Sequence, residues 1–256
     1  HTRLQGDWSS DVCSSDLWHS SIVGSYSAAT AVRTHRDDLN QLHGNLTFAC
    51  KGLASNQQAM TELMEESFTQ ARFDELARLE ELVAQILTHR ESSVVSNGHV
   101  LAMMASSSGM SPYGHLKQRW NGMTGLGLLK QLNQAIKSPA ALKDLAQQLK
   151  SIHQLVLQQQ RQYLLVAEKE KVEPFAAIMG SVFPKQSGPL DKNNIFDYQP
   201  QLETINHCWT AATQVSFCAR AYPTVTGSHE DAAALTLLGG ILRNGFLHRA
   251  IREQGE

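Results

Sequence analysis

The chain has 256 residues, which is enough for one or two domains with a hydrophobic core. Hydrophobic residues make up 42% and charged residues 18%, as in an ordinary soluble globular chain. The net charge of -2 gives no reason to expect nucleic acid as a partner, and no run of about 18 apolar residues predicts a membrane span. The cysteines form no C-x-x-C pair, which favours free thiols in a reduced compartment, either the cytoplasm or, in a eukaryote, the mitochondrial matrix.

The first 17 residues, HTRLQGDWSSDVCSSDL, are interpreted as a non-native tail. The run GDWSSDVCSSDL resembles the translation of a sequencing-adapter oligonucleotide joined to an open reading frame. We therefore expect residues 1–17 to be disordered and exclude them from reasoning about the fold. The natural chain is expected to begin near Trp18.

Two strands followed by a helical block are predicted for residues 18–152. Residues 20–31 are small and β-tolerant, residues 34–40 read as a charged loop, and residues 42–51 alternate well enough to form an antiparallel partner strand. Helices are then predicted from Ser55 onwards, over residues 73–90, 92–107, 112–120, 128–136 and 139–149. The glycines at positions 122, 125 and 127 are expected to lie in a connection between two of these helices.

A second α+β unit is predicted for residues 153–256. Residues 163–167 (YLLVA) read as a short buried strand, residues 172–183 as a helix, residues 185–200 as a loop and residues 213–221 as a strand. A long amphipathic helix is then expected over residues 228–253, with Ser228 as its N-cap and Asp231 closing a capping box. The predicted fold class is α+β, mostly helical, with antiparallel sheet pieces from two consecutive domains.

The sequence HEDAAALTLLGGILRNGFLHRAIREQG, residues 229–255, resembles the last domain of the pitrilysin/insulinase superfamily of zinc metallopeptidases, in its presequence-protease branch. Residues 37–40 (Asp-Asp-Leu-Asn), 51–53 (Lys-Gly-Leu) and 56–57 (Asn-Gln) resemble a second, distant part of the same family. In that family the final helix continues into Gly-Ala-Tyr-Gly, whereas this sequence stops in mid-motif. We therefore expect the chain to be an internal piece of a larger protein, called the parent below.

The resemblance implies a parent that encloses unfolded peptides in a two-halved shell and cuts them with zinc-activated water. The superfamily binds zinc through His-x-x-Glu-His, because two imidazoles one helical turn apart bind the metal and the Glu activates water. Neither that spacing nor His-Glu-x-x-His occurs here, since no second His faces His229 and Glu230. Zinc is therefore expected only in the parent's missing N-terminal half, and this chain is expected to be inactive by itself.

Arg252 is the residue for which the resemblance implies a functional role. It matches the Arg of the family's Arg-Glu-x-Gly motif, which helps to hold the bound peptide and its developing oxyanion together with the downstream Tyr. A guanidinium suits this role because it is always charged and donates along a planar fork. The structural alternative is an Arg that neutralises the C-terminal end of a helix.

Two other classes of function remain open at this point. The chain could belong to a structural member of the superfamily that keeps the fold without hydrolysis, in which case the zinc motif upstream would be degraded. It could instead be an unrelated helical scaffold that binds a partner through residues 55–150. An exposed apolar groove in that block and the absence of any sheet would favour the scaffold.

Overall fold

The computed structural model describes residues 21–183, 195–212 and 214–250. The predicted tail and its boundary with the natural chain lie outside these residues, as do most of the predicted loop after residue 184 and the last six positions, Arg252 included. None of the helices in the described ranges is long and apolar enough to cross a membrane.

A β-hairpin opens the described chain. Strand β1 (Ser25–Thr34) pairs with β2 (Leu42–Lys51), and the bounds of β2 are those predicted from its alternation. The pairing is antiparallel, because the amide of Gly24 donates to the carbonyl of Lys51 at one end (2.7 Å) and that of His35 to Gln41 at the other (2.8 Å). In the connecting turn, the Asp38 carboxylate accepts a hydrogen bond from the amide of Asn40 at 2.9 Å, the local pattern for which Asp is favoured in turns.

The sheet has a third, very short strand. Strand β3 (Ile195–Phe196) lies on the other side of β2 and pairs antiparallel with its first two residues, in the register Leu42 with Phe196 and His43 with Ile195. The sequence predicts a loop here. Two residues carry too short a pattern to identify a strand, and this one is defined by its partner.

Most of the remaining chain is helical, as predicted. A 3-10 turn at Ala54–Asn56 leads into the first helix. The helices are α1 (Gln57–Thr69), α2 (Leu76–Ser96), α3 (Gly98–Ser107), α4 (Pro112–Asn121), α5 (Met123–Ala135), α6 (Pro139–Gln158), α7 (Lys169–Val182), α8 (Ala232–Asn244) and α9 (Phe246–His248). With the antiparallel sheet, they confirm the predicted α+β class.

The glycine-rich run after α4 is helical, so the prediction of a connection there was wrong. Helix α5 begins at Met123 and includes both Gly125 and Gly127. A Cβ at Gly125 would lie 2.6 Å from the carbonyl oxygen of Arg119 and 2.7 Å from that of Trp120. Gly125 is therefore present because the end of α4 approaches it closely, which a helix-propensity argument does not detect.

The contacts divide the chain into two units, each assembled from three segments. Unit 1 comprises residues 1–31, 45–85 and 132–193, and unit 2 comprises residues 32–44, 86–131 and 194–256. The predicted domains, 18–152 and 153–256, stay a prediction. In unit 1, helices α1 and α7 pack together, and a core of buried side chains forms around them: Ile22, Val23, Met60, Leu63 and Phe175. In unit 2, the buried side chains include Leu42, Ala105, Leu116 and Leu126.

Two predicted strands are not formed. Residues 163–167 run without pairing to any described strand, although their alternation is correct: Leu165 packs against the core of unit 1, while Leu164 is 89% exposed and Val166 84% exposed. Residues 214–221 also form no strand, and Thr213 lies outside the described residues. Alternation indicates which side chains face inward, but a strand also needs a partner for its backbone groups.

Candidate functional site

The helix that leads towards Arg252 is shorter than predicted. Helix α8 begins after Asp231, which is its N-cap but makes no side-chain cap hydrogen bond, and it ends at Gly245. The capping box predicted from Ser228 is therefore wrong, and the Ser228 hydroxyl lies 3.4 Å from that of Thr226 instead. Arg252 itself lies outside the described residues, so its role stays a prediction.

The apolar side chains of this helical segment are exposed. Helices α8 and α9 bury none of their large apolar residues, although their apolar content is high: Leu235, Leu237, Leu238, Ile241, Leu242, Phe246 and Leu247 are each at least 38% exposed. A Cβ added to Gly239 or Gly240 would meet no atom within 4 Å, so the close backbone approach expected of these glycines is not formed within the described chain. A contiguous exposed apolar surface of this kind marks an interaction face.

The described residues hold no metal-binding cluster. No group of three or more His, Cys, Asp or Glu side chains is arranged to bind an ion among residues 21–183, 195–212 and 214–250. His229, the one histidine followed by a Glu, accepts a hydrogen bond from the amide of Asp231 at 3.2 Å, and its ring nitrogen is 3.7 Å from the Asp231 carboxylate. These contacts support the interpretation of His229 as a residue at the start of a helix.

The cysteines in the described chain are free and differ in reactivity. Cys50 is half-buried, with its sulfur 3.7 Å from that of Met64, whereas Cys208 and Cys218 are exposed. Burial raises the pKa of the Cys50 thiol above its ordinary value, because the thiolate loses hydration there. Cys50 is therefore a poor nucleophile at neutral pH.

An extended segment of unit 2 lies across α3 and is called the strap, residues 203–212 and 214–219. Two glycines at the ends of α3 receive it. A Cβ at Gly98 would overlap the ring of Phe217, and a Cβ at Gly109 would overlap the carbonyl of Glu203. Just before the strap, the Tyr198 hydroxyl is hydrogen-bonded to Nδ1 of His115 on α4 at 2.6 Å. The strap is thus held at both ends of one helix.

Between these two attachment points the strap borders a cavity of about 610 Å³, and the described residues that line it all belong to unit 2. One wall consists of apolar side chains from α2, α3 and the start of α5: Val94, Val95, Leu101, Ala102, Ala105 and Met123. The strap supplies the other wall, where the ring of His207 packs edge-on against that of Trp209 with centroids 4.9 Å apart. The volume lies within the range of about 300–1,000 Å³ that is usual for ligand pockets.

Sequence reasoning did not find this cavity. The sequence predicts residues 213–221 as a sheet strand and Gly98 as an interruption between two helices, so it does not bring the two together. The available signal was the small-residue surface of α3, at Gly98, Ala102 and Ala105, which spaces small side chains along one helix face. That pattern indicates the close approach of another segment without identifying the segment.

Comparison with known proteins defines the class. Residues 10–132 match the family model for the region associated with peptidases of metallopeptidase family 16, subfamily C. This match includes the β-hairpin, helices α1 to α4 and most of α5.

Two curated relatives specify the resemblance further. The chain is 24% identical to the protein named "Presequence protease, mitochondrial" of Xenopus tropicalis over 261 aligned residues, which cover 91% of this chain and 25% of the relative. It is also 24% identical to the protein of the same name from Yarrowia lipolytica over 218 residues, covering 82% of this chain and 21% of the relative. Together these matches support a member of a peptidase family similar to that subfamily and confirm the predicted resemblance. The chain spans about a quarter or less of the length of these relatives.

Proposed function

We propose that this chain supplies the zinc-free half of a zinc metalloendopeptidase that degrades unfolded peptides, where it forms chamber wall and substrate clamp. The observation that carries the proposal is the match of residues 10–132 to the peptidase-associated family, together with the similarity of 91% of the chain to a presequence protease. The relatives carry "mitochondrial" in their names, which supports the matrix as the compartment.

The described side chains do not fit a catalytic zinc ion, because no suitable cluster of ligands occurs among them. The metal and its activated water are therefore assigned to the missing N-terminal half of the parent, and the chain alone is inactive. Unfolded peptide and that missing half are its two partners. The exposed apolar side chains of α8 and α9 support a role inside a larger assembly, since burying them would contribute favourable free energy.

Arg252 is the proposed substrate clamp. The residue follows helices α8 and α9 and matches the family's Arg-Glu-x-Gly motif. A guanidinium at this position donates hydrogen bonds to a peptide carbonyl oxygen and stabilises the negative charge that develops on it during hydrolysis. Its contribution is electrostatic and positional, and it transfers no proton.

The test begins with the parent gene. Reading through both ends of the open reading frame is expected to reveal His-x-x-Glu-His upstream and Gly-Ala-Tyr-Gly downstream of Arg252. The purified parent should then cleave a fluorogenic unfolded peptide, lose that activity with a chelator and regain it with zinc. The 256-residue chain should cleave nothing with or without zinc.

Arg252→Ala in the parent should lower kcat/KM by about 100-fold, as does removal of one oxyanion-hole donor, without lowering the Tm. Arg252→Lys keeps the charge and removes the planar fork, so it should recover only part of the loss. Arg243→Ala, on α8, is the matched control and should leave kcat/KM unchanged. A parent that lacks the zinc motif would instead support a structural member of the superfamily. The helical-scaffold alternative required the absence of any sheet, and the β1-β2-β3 sheet counts against it.

A further inference from the structure

The cavity beneath the strap has a neutral lining. Among the described residues, no Asp, Glu, Lys or Arg side chain contributes to it, and its helical wall is formed by aliphatic side chains and Met123. A charged ligand group placed there would lose its hydration without a compensating partner, which costs several kcal/mol. An uncharged apolar or aromatic group of the right size loses little and removes apolar surface from water. The cavity therefore selects its occupant by the absence of charge.

The strap also exposes its main chain. Within the described residues, positions 205–211 take part in no backbone–backbone hydrogen bond and belong to no helix or strand. Their amide and carbonyl groups lie along the side of the cavity that faces solvent. An extended segment with unpaired main-chain groups beside a side-chain pocket is the arrangement by which proteins bind a peptide as an added strand.

We propose that this cavity binds an apolar or aromatic side chain of an extended polypeptide, whose main chain pairs with residues 205–211 of the strap. The inference rests on the proposed function, which makes unfolded peptides the ligands of the parent, and it assigns part of their binding to this unit. The Trp209 ring lines the same cavity and offers an edge or face to an aromatic side chain of the peptide. No bond is made or broken, so the site contributes affinity and register.

Blocked, fluorescently labelled heptapeptides test the proposal with the 256-residue chain as it stands. The sequence Thr-Ser-Thr-Xaa-Thr-Ser-Thr, with Xaa as Phe, Ser or Asp, places one variable side chain in an otherwise polar extended peptide. Fluorescence anisotropy should show that the Phe peptide binds about 10- to 100-fold more tightly than the Asp peptide. Methylation of the amide nitrogen next to Phe removes a main-chain donor and should weaken binding about 5- to 10-fold.

A matched pair of variants locates the site. Ala102→Phe places a ring inside the cavity, whereas Met103→Phe adds the same ring at the neighbouring position, which is 54% exposed and outside the lining. Ala102→Phe should weaken binding of the Phe peptide at least tenfold. Met103→Phe should change it less than twofold.

Hydrogen exchange on the unmodified chain gives a second readout that does not depend on whether Ala102→Phe folds. Saturating Phe peptide should slow exchange of the amides at positions 205–211, and the Asp peptide at the same concentration should not. Equal affinity for the three peptides, or protection outside the strap only, would overturn the proposal. So would binding of an apolar dye in the cavity without any peptide binding. These measurements need no hydrolysis, so their failure would leave the cleavage test of the parent untouched.

Discussion

Two helices of this chain begin with the same Ser-Pro dipeptide, and only one of the serines caps its helix. At the start of α4, the Ser111 hydroxyl accepts a hydrogen bond from the amide of Gly114 at 3.1 Å, with Pro112 in the first turn. At the start of α6, Ser138 precedes Pro139 in the same way but makes no side-chain cap hydrogen bond. The sequence predicts a cap at Ser138, and the structure shows that this prediction was wrong.

Replacing each serine by alanine should therefore have unequal effects. Ser111→Ala removes the acceptor of the Gly114 amide and should lower the free energy of unfolding by about 1 kcal/mol, the usual cost of losing an N-cap. Gly114 is buried, so water replaces the lost bond poorly. Ser138 is exposed and has no cap bond to lose, so Ser138→Ala should cost no more than a few tenths of a kcal/mol.

Urea unfolding followed by far-ultraviolet circular dichroism compares the two variants, and thermal unfolding should show a Tm about 2–4 °C lower for Ser111→Ala. Hydrogen exchange adds a local readout, because the Gly114 amide should exchange faster in Ser111→Ala only. Equal destabilisation by the two substitutions, or the larger loss for Ser138→Ala, would refute the assignment of the cap.

Three further outcomes are expected. At pH 8, iodoacetamide should modify Cys50 more slowly than the two exposed described thiols, because burial raises its pKa and lowers its thiolate fraction; peptide mapping by mass spectrometry reads the rates, and equal rates in the folded chain would contradict this. The pKa of Asp74 lies below its ordinary value because the Arg72 guanidinium donates hydrogen bonds to its carboxylate at 3.0 and 3.1 Å, so the group stays charged to lower pH. Arg72→Gln should raise that pKa towards the ordinary value in a carboxyl NMR titration, and an unchanged midpoint would exclude the guanidinium as the cause. Gly98→Val should displace the Phe217 ring and accelerate limited proteolysis within the strap, whereas an unchanged cleavage rate would show that Gly98 does not hold the strap.

The hairpin and the helical block are the parts of the fold that the sequence predicts well. Strand β2 and the interruption between α2 and α3 follow from local alternation, periodicity and the Asn97-Gly98 pair, all of which act over a few residues. The bounds are less accurate where a helix continues past its clearest apolar stripe, as α6 does beyond residue 149 to Gln158. Local patterns therefore identify elements without fixing their ends.

The errors share one physical cause, which is dependence on a distant partner. Gly125 lies in a helix because the end of α4 approaches it, and residues 214–221 pack through Phe217 onto Gly98 without joining a sheet. The candidate cavity is of the same kind, since it exists only where the strap meets the small-residue face of α3. Arg252 could be predicted from a motif alone, because a motif needs no knowledge of which segments meet.

The way in which each unit is assembled bears on how a ribosome-bound chain acquires its structure. Unit 1 requires residues up to 193, and unit 2, which begins at residue 32, requires residues from 194 onwards. Neither can be completed while only the first half of the chain has emerged, so the β-hairpin and helices α1 to α4 must wait, partly uncovered, for segments synthesised later. Nascent chains of this design depend on chaperones during elongation, and a stop codon near the middle would leave both units without their last segment.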